Sequence, residues 1–197
     1  KTTKKQMLQN RLTKRPISVI YNAADAAEAV LERDNSGSRT LVYMGSFIGY
    51  KNVEALIMGV ALLPEHTLVC LSRISEARRG ELTQLAKSVG ASVQFENGVS
   101  EAEYHQWLIK AQALVTASKD EGFGIPVIEA MERGTPAVVS NLEIFEEIGS
   151  DAAMYFNPAD SQSFADQINS LANSDRWRNA SKKSISQASK FSWQKSA

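Results

Sequence analysis

The chain has one cysteine in 197 residues, which excludes an internal disulfide framework and fits a reducing compartment. Cys70 lies in the apolar run Leu68-Val69-Cys70-Leu71, the setting of a buried, inert thiol rather than a nucleophile. Histidine is nearly as scarce. His66 falls in a turn and His105 on a helical pattern, neither in a metal-ligand motif, and both read as structural or exposed. Neither sign of charge is in excess: Lys plus Arg and Asp plus Glu number 22 each. Bulk attraction to nucleic acid or to an anionic membrane therefore has no support. No apolar run approaches the roughly 20 residues that span a bilayer. The N-terminus is polar and lacks the apolar core of a signal peptide, so a cytoplasmic location is expected. The fingerprint G-x-G-x-x-G is missing after the first strand, where Gly45-Ser46-Phe47-Ile48-Gly49 stands instead, which disfavours a generic Rossmann oxidoreductase. Repeats and low-complexity tracts are absent.

What is present is ordinary globular composition, 43% hydrophobic and 22% charged, enough for one domain with a real core. The stretch 1–15 is rich in Lys and Arg and holds no acid, and reads as a solvated linker in preference to a basic helix. Pro16 to Asn22 reads as a short strand, Ala24 to Arg33 as a helix, and Asp34 to Ser38 as a polar turn. Buried strands are expected at Leu41–Met44, Thr67–Leu71, Ser92–Phe95, Ala113–Thr116, Ala137–Val139 and Ala153–Phe156. Helices are expected between them, at Val53–Leu63, Glu76–Val89, Glu101–Ala111, Pro126–Arg133, Glu143–Ile148, from Ser161 to about Leu171, and from near Asp175. Ser100 and Glu103 form a capping box, and the charges of the acidic helix at Glu143 read as a solvated face. Such alternation implies an α/β fold, a mostly parallel sheet covered by helices on both sides.

One stretch carries the chemistry. Glu121 and Glu129 bracket the seven residues Gly122-Phe123-Gly124-Ile125-Pro126-Val127-Ile128. Two glycines let a loop bend and let its backbone approach a ligand, and Pro126 suits the start of a helix. Unpaired N–H groups and the dipole at that start make an anion site. Glu129 sits one turn in, where its side chain leans back toward the anion and whatever adjoins it. A phosphate cradle between two hydroxyl-reading carboxylates suits a sugar nucleotide.

The segment from Ser118 to Ser140, with this E-x7-E pattern at its centre, resembles the signature of family-4 retaining glycosyltransferases. The resemblance runs from about Ile17 to Trp193. It implies the C-terminal half of a GT-B fold, a Rossmann-like three-layer α/β/α domain over 16–197. Residues 1–15 would then be an interdomain remnant and the N-terminal acceptor domain would lie outside this chain. The implied activity is transfer of a sugar from a nucleotide-diphosphate sugar to a saccharide or lipid-linked acceptor, with retention and without a cofactor or bound metal. Membrane contact, if any, would come through the other domain, at the inner face. The resemblance assigns the catalytic roles to Glu121 and Lys51, and donor contacts to Gly45, Ser46, Lys51, Val99, Glu121, Gly122, Phe123, Gly124, Ile125, Val127 and Glu129. In it, Lys51 and the N–H groups of Gly124 to Val127 meet the diphosphate, Glu121 the sugar and Glu129 the ribose. Val93, Phe95 and Val99 are candidates to lie against the base. Ser46 departs from the pattern, since relatives carry a base there, and Arg73 is a possible substitute. The alternatives are a stand-alone nucleotide-sugar-binding module or a non-catalytic partner subunit. The E-x7-E context speaks against an epimerase or a phosphorylase.

Overall fold

The structure is a computed structural model that describes residues 2–13, 15–22 and 33–196. Six strands, β1 Thr40–Tyr43, β2 Thr67–Cys70, β3 Ser92–Phe95, β4 Ala113–Thr116, β5 Ala137–Ser140 and β6 Met154–Phe156, form one sheet. Their order is β3-β2-β1-β4-β5-β6 and every pair is parallel. The helices are α1 Thr2–Gln9, α2 Val53–Val60, α3 Glu76–Val89, α4 Glu101–Lys110, α5 Ile125–Glu132, α6 Glu143–Gly149, α7 Ser161–Ser170, α8 Ser174–Ala188 and α9 Trp193–Ser196.

Parallel strands need crossovers, and crossovers cover both faces of the sheet. The core is accordingly double. Leu41, Tyr43, Leu68, Cys70, Val115 and Val138 point to one side, against α2, α3, α7 and Trp177 of α8. Val42, Val69, Leu114 and Val139 point to the other, against α4, α5 and α6. The two-residue alternation within each strand produces this split, and it explains why central strands are apolar at every position. Side-chain caps start four of the helices, from Ser75, Ser100, Asp160 and Asn173, and Ser100 with Glu103 makes the expected reciprocal box. Cys70 is fully buried, and burial pushes its thiol up to about 12, which leaves it inert.

Two expectations meet a different structure. Residues 16–22 are irregular, not a strand. The segment is held through its side chains instead: Tyr21 Oη donates to Glu147 Oε1 at 2.7 Å, and its ring packs on Phe123 and Phe191. The helix expected from Ala24 lies outside the described residues, and Arg33 at its expected end is in irregular chain. The basic N-terminal stretch is helical rather than a solvated linker. Thr2 donates from its backbone N and from Oγ1 to Glu147 Oε2 at 2.6 and 2.7 Å, and Lys5 Nζ donates to Glu143 Oε1 at 2.9 Å. The acidic face of α6 is thus partnered. A segment without acids and a helix crowded with them meet by charge complementarity, at a sequence separation beyond any local pattern.

Candidate functional site

In an open parallel sheet, ligands bind outside the carboxyl ends of the strands, where the strand order reverses. Here that point lies between β1 and β4. A cavity of about 650 Å³ opens there, within the usual size of small-molecule sites. One wall follows β1, with Tyr43, Met44, Gly45, Ser46 and Lys51. The other follows β4, with Glu121, Gly122, Phe123, Gly124, Ile125, Pro126 and Val127. Nine of the expected contact residues therefore converge, and Val99 and Glu129 do not line the cavity.

Lys51 ends a 3₁₀ turn at Gly49–Lys51, and the chain then passes through Asn52 in the left-handed region, at φ 53°. Asn tolerates that conformation better than other residues with a side chain. Asn52 Nδ2 donates to the Ala117 carbonyl at 3.2 Å, and the Lys119 N–H donates to the Tyr50 carbonyl at 2.7 Å. These two bonds clip the β1 loop onto the β4 loop. They bring Lys51 Nζ to 2.5 Å from Glu121 Oε2, with the side chains 15% and 18% exposed. The two residues expected to carry the chemistry are thus partners of each other.

Ser46, at the place where a second base was expected, is part of the scaffold. Tyr43 Oη donates to its carbonyl at 2.6 Å, and burial raises the phenol well above its usual range. Gly45 fits beneath that ring, since a Cβ there would stand 2.8 Å from Tyr43 Oη. Arg73 supplies no second charge: it is exposed, lies against Gly98 and does not line the cavity.

The other wall depends on Gly124, the N-cap of α5, at φ 93°. A Cβ at this position would stand 2.9 Å from Phe145 Cε1 and 3.1 Å from Ile148 Cδ1. Phe123 is held by Tyr21 and Phe191, at centroid distances of 6.1 and 6.2 Å. The backbone donors differ from expectation. The Val127 N–H donates to the Gly124 carbonyl at 3.0 Å, and Gly122 donates to its neighbour Glu121 Oε1 at 3.0 Å. With Pro126 lacking an N–H, the helix start offers fewer free donors than the spacing implies.

Glu129 lies partly buried behind this wall. Tyr104 Oη, from α4, donates to its Oε2 at 2.9 Å. Arg133 Nη1 donates to the Glu129 carbonyl at 3.0 Å, and Arg133 Nη2 lies 2.7 Å from His105 Nε2. An arginine only donates, so in this contact His105 accepts through Nε2. Val93 and Phe95 pack on the α2–α3 side of the core, and Val99 packs on the α4–α5 side. Besides Asn22, Leu114 and Phe145 of α6, sequence reasoning missed Tyr43, Met44 and Thr116, core-like residues at the ends of β1 and β4. Their signal was their place immediately before a loop on the reversal side of the sheet.

Six parallel strands in this order, with a cavity at the reversal flanked by a lysine and a glycine-opened helix start, define a Rossmann-like domain of GT-B type. The chain belongs to the group 1 glycosyl transferases, whose family model matches residues 28–190. It is 30% identical over 157 residues to the O-antigen chain mannosyltransferase RfbU of Salmonella typhimurium, across 79% of this chain and 44% of that protein. It is 26% identical over 164 residues to a GDP-mannose:cellobiosyl-diphosphopolyprenol alpha-mannosyltransferase of Xanthomonas oryzae, across 79% and 43%. The chain thus spans less than half the length of these curated relatives. The fold matches sucrose-phosphate synthase of Thermosynechococcus elongatus with a TM-score of 0.83 at 21% identity, over 98% of this chain and 53% of that one. No helix among the described residues is long and apolar enough to cross a membrane.

Proposed function

We propose that this chain is the donor-binding half of a retaining glycosyltransferase, most simply a mannosyltransferase using a guanosine-diphosphate sugar. The observation that carries the reading is the Lys51–Glu121 pair set at the mouth of α5 in the cavity between β1 and β4. As the glycosidic bond breaks, negative charge grows on the leaving diphosphate. Lys51 is the cation in position to stabilise it, helped by the backbone N–H groups of Gly124 and Ile125 at the start of α5. Glu121 takes sugar hydroxyls, and Glu129 takes the ribose. The acceptor, a saccharide or lipid-linked saccharide, is bound by a part of the protein outside this chain, and the reaction takes place in the cytoplasm. We read the charge stabilisation as metal-free, because a lysine and backbone N–H groups flank the cavity where a carboxylate cluster would be needed for a divalent cation. The names of the mannosyltransferase relatives support the choice of sugar and base.

Calorimetry of the chain with GDP, UDP, dTDP and ADP, together with GDP-mannose, tests this. The expected result is binding of GDP ahead of the others and of GDP-mannose at least as tightly, without sugar transfer by the chain alone. Failure of all four nucleoside diphosphates to bind overturns the reading.

A further inference from the structure

The α4 helix contributes a buried phenol that the donor site has so far not used. Tyr104 is 5% exposed, and its Oη donates to one oxygen of Glu129, Oε2, at 2.9 Å. Among the described residues no donor reaches Oε1. The carboxylate is therefore half satisfied, held in one orientation and left with one oxygen free to accept. The same pair of helices is joined one turn further on, where Arg133 of the α5 C-terminus bridges the Glu129 carbonyl and His105 Nε2. These contacts fix where Glu129 stands relative to α4, and Tyr104 fixes which way its carboxylate faces.

We propose that Tyr104 is a positioning residue for nucleotide recognition. Glu129 stands behind the cavity wall and does not line the cavity; by occupying Oε2, Tyr104 leaves Oε1 as the acceptor for a ribose hydroxyl that reaches past that wall, and so sets the discrimination between ribose and deoxygenated sugars. The inference rests on the reading of Glu129 as the ribose contact. A carboxylate so restrained gives up less side-chain entropy when it binds. A carboxylate without the phenol would be free to turn away from the ligand or to take a water in its place.

The test is calorimetric titration of the chain with GDP and UDP, each against its 2′,3′-dideoxy counterpart. In the parent chain the ribose form is expected to bind about tenfold tighter, the effect of about 1.4 kcal/mol. Tyr104→Phe keeps the buried ring and removes only the hydroxyl. It should reduce the preference to threefold or less while leaving affinity for the dideoxy form unchanged. Glu129→Ala should also erase the preference, and adding Tyr104→Phe to it should change the ratio no further. Equal weakening of both forms by Tyr104→Phe, with the tenfold ratio intact, would mean a structural role and overturn this inference alone. A ratio that survives Glu129→Ala, or a parent chain that shows no preference, overturns the ribose reading and the role of Tyr104 with it.

Discussion

Removing the charge of Glu121 should tighten binding of a bare nucleoside diphosphate while loosening that of the intact donor. In the structure Glu121 neutralises Lys51 at 2.5 Å, and both side chains are largely shielded from water. Two unit charges 4 Å apart are worth about 4 kcal/mol at an effective dielectric of 20. Part of that attraction is offset by the desolvation of both groups. A diphosphate entering the cavity must share Lys51 with a carboxylate of its own sign. Glu121→Gln relieves that competition, and a recovery of about a third of the pair's attraction, ~1.4 kcal/mol, would raise GDP affinity tenfold. For GDP-mannose the same substitution forfeits hydrogen bonds from sugar hydroxyls to a charged acceptor, worth about 1.5–3 kcal/mol. The ratio of donor to nucleoside-diphosphate affinity should therefore fall by ten- to a hundredfold, a quantity that cancels any general effect on Lys51. Lys51→Ala is the counterpart: it should weaken GDP by at least tenfold and leave guanosine, which has no phosphate, unchanged. Calorimetry with guanosine, GDP and GDP-mannose on the parent and both variants measures all of this. If Glu121→Gln weakens GDP as much as Lys51→Ala does, Glu121 merely positions Lys51, and the competition argument is wrong.

Gly124→Ala should destabilise the chain by about 2–4 kcal/mol, combining a left-handed backbone with overpacking against Phe145 and Ile148. Gly122→Ala, with no atom near its added Cβ, should stay within about 0.5 kcal/mol; urea midpoints compare the two, and equal effects would refute the packing account. His66 sets a pH dependence. Burial, ahead of the nearby Arg39 charge, lowers its pKa below 6.5, against the smaller opposing effects of Gln112 and Glu65, and its Nδ1 is buried without a partner. The unfolded chain thus binds the proton first as pH falls. Stability should be whole above about 6.5 and decline below it until the folded state also protonates. Urea midpoints at pH 7.5 and 5.5 should show a drop that His66→Gln reduces, and an unchanged drop would assign it to other groups.

The sheet could be read from the sequence because its central strands are buried on both faces, so β1, β4 and β5 appear as unbroken apolar runs. The Glu121–Glu129 loop was also readable, since glycine, proline and carboxylates at fixed offsets have local causes. Other features depended on partners distant along the chain. Pro16 to Asn22 has the composition of a strand, and only the packed molecule shows Tyr21 engaged instead with Glu147, Phe123 and Phe191. The N-terminal helix rests on Glu143 and Glu147, far outside any pattern window. In the sequence Tyr43 reads as part of a buried strand, Asn52 as loop, and Tyr104 as one position of a helix. Their roles come from a carbonyl or a carboxylate that only the packed molecule brings within reach.

The Lys51–Glu121 contact joins residues 70 positions apart in the chain. Neither βαβ half can make it alone, because Lys51 comes from the β1–β3 half and Glu121 from the β4–β6 half. Any partly folded species with only one half assembled has no pocket to offer. The ligand must then discriminate completely between the finished domain and everything short of it. By mass action, donor at a hundred times its dissociation constant would deepen the native well by about 2.7 kcal/mol. Proteolytic lifetime under nucleotide sugar thus becomes a readout of how far the two halves fold as one unit.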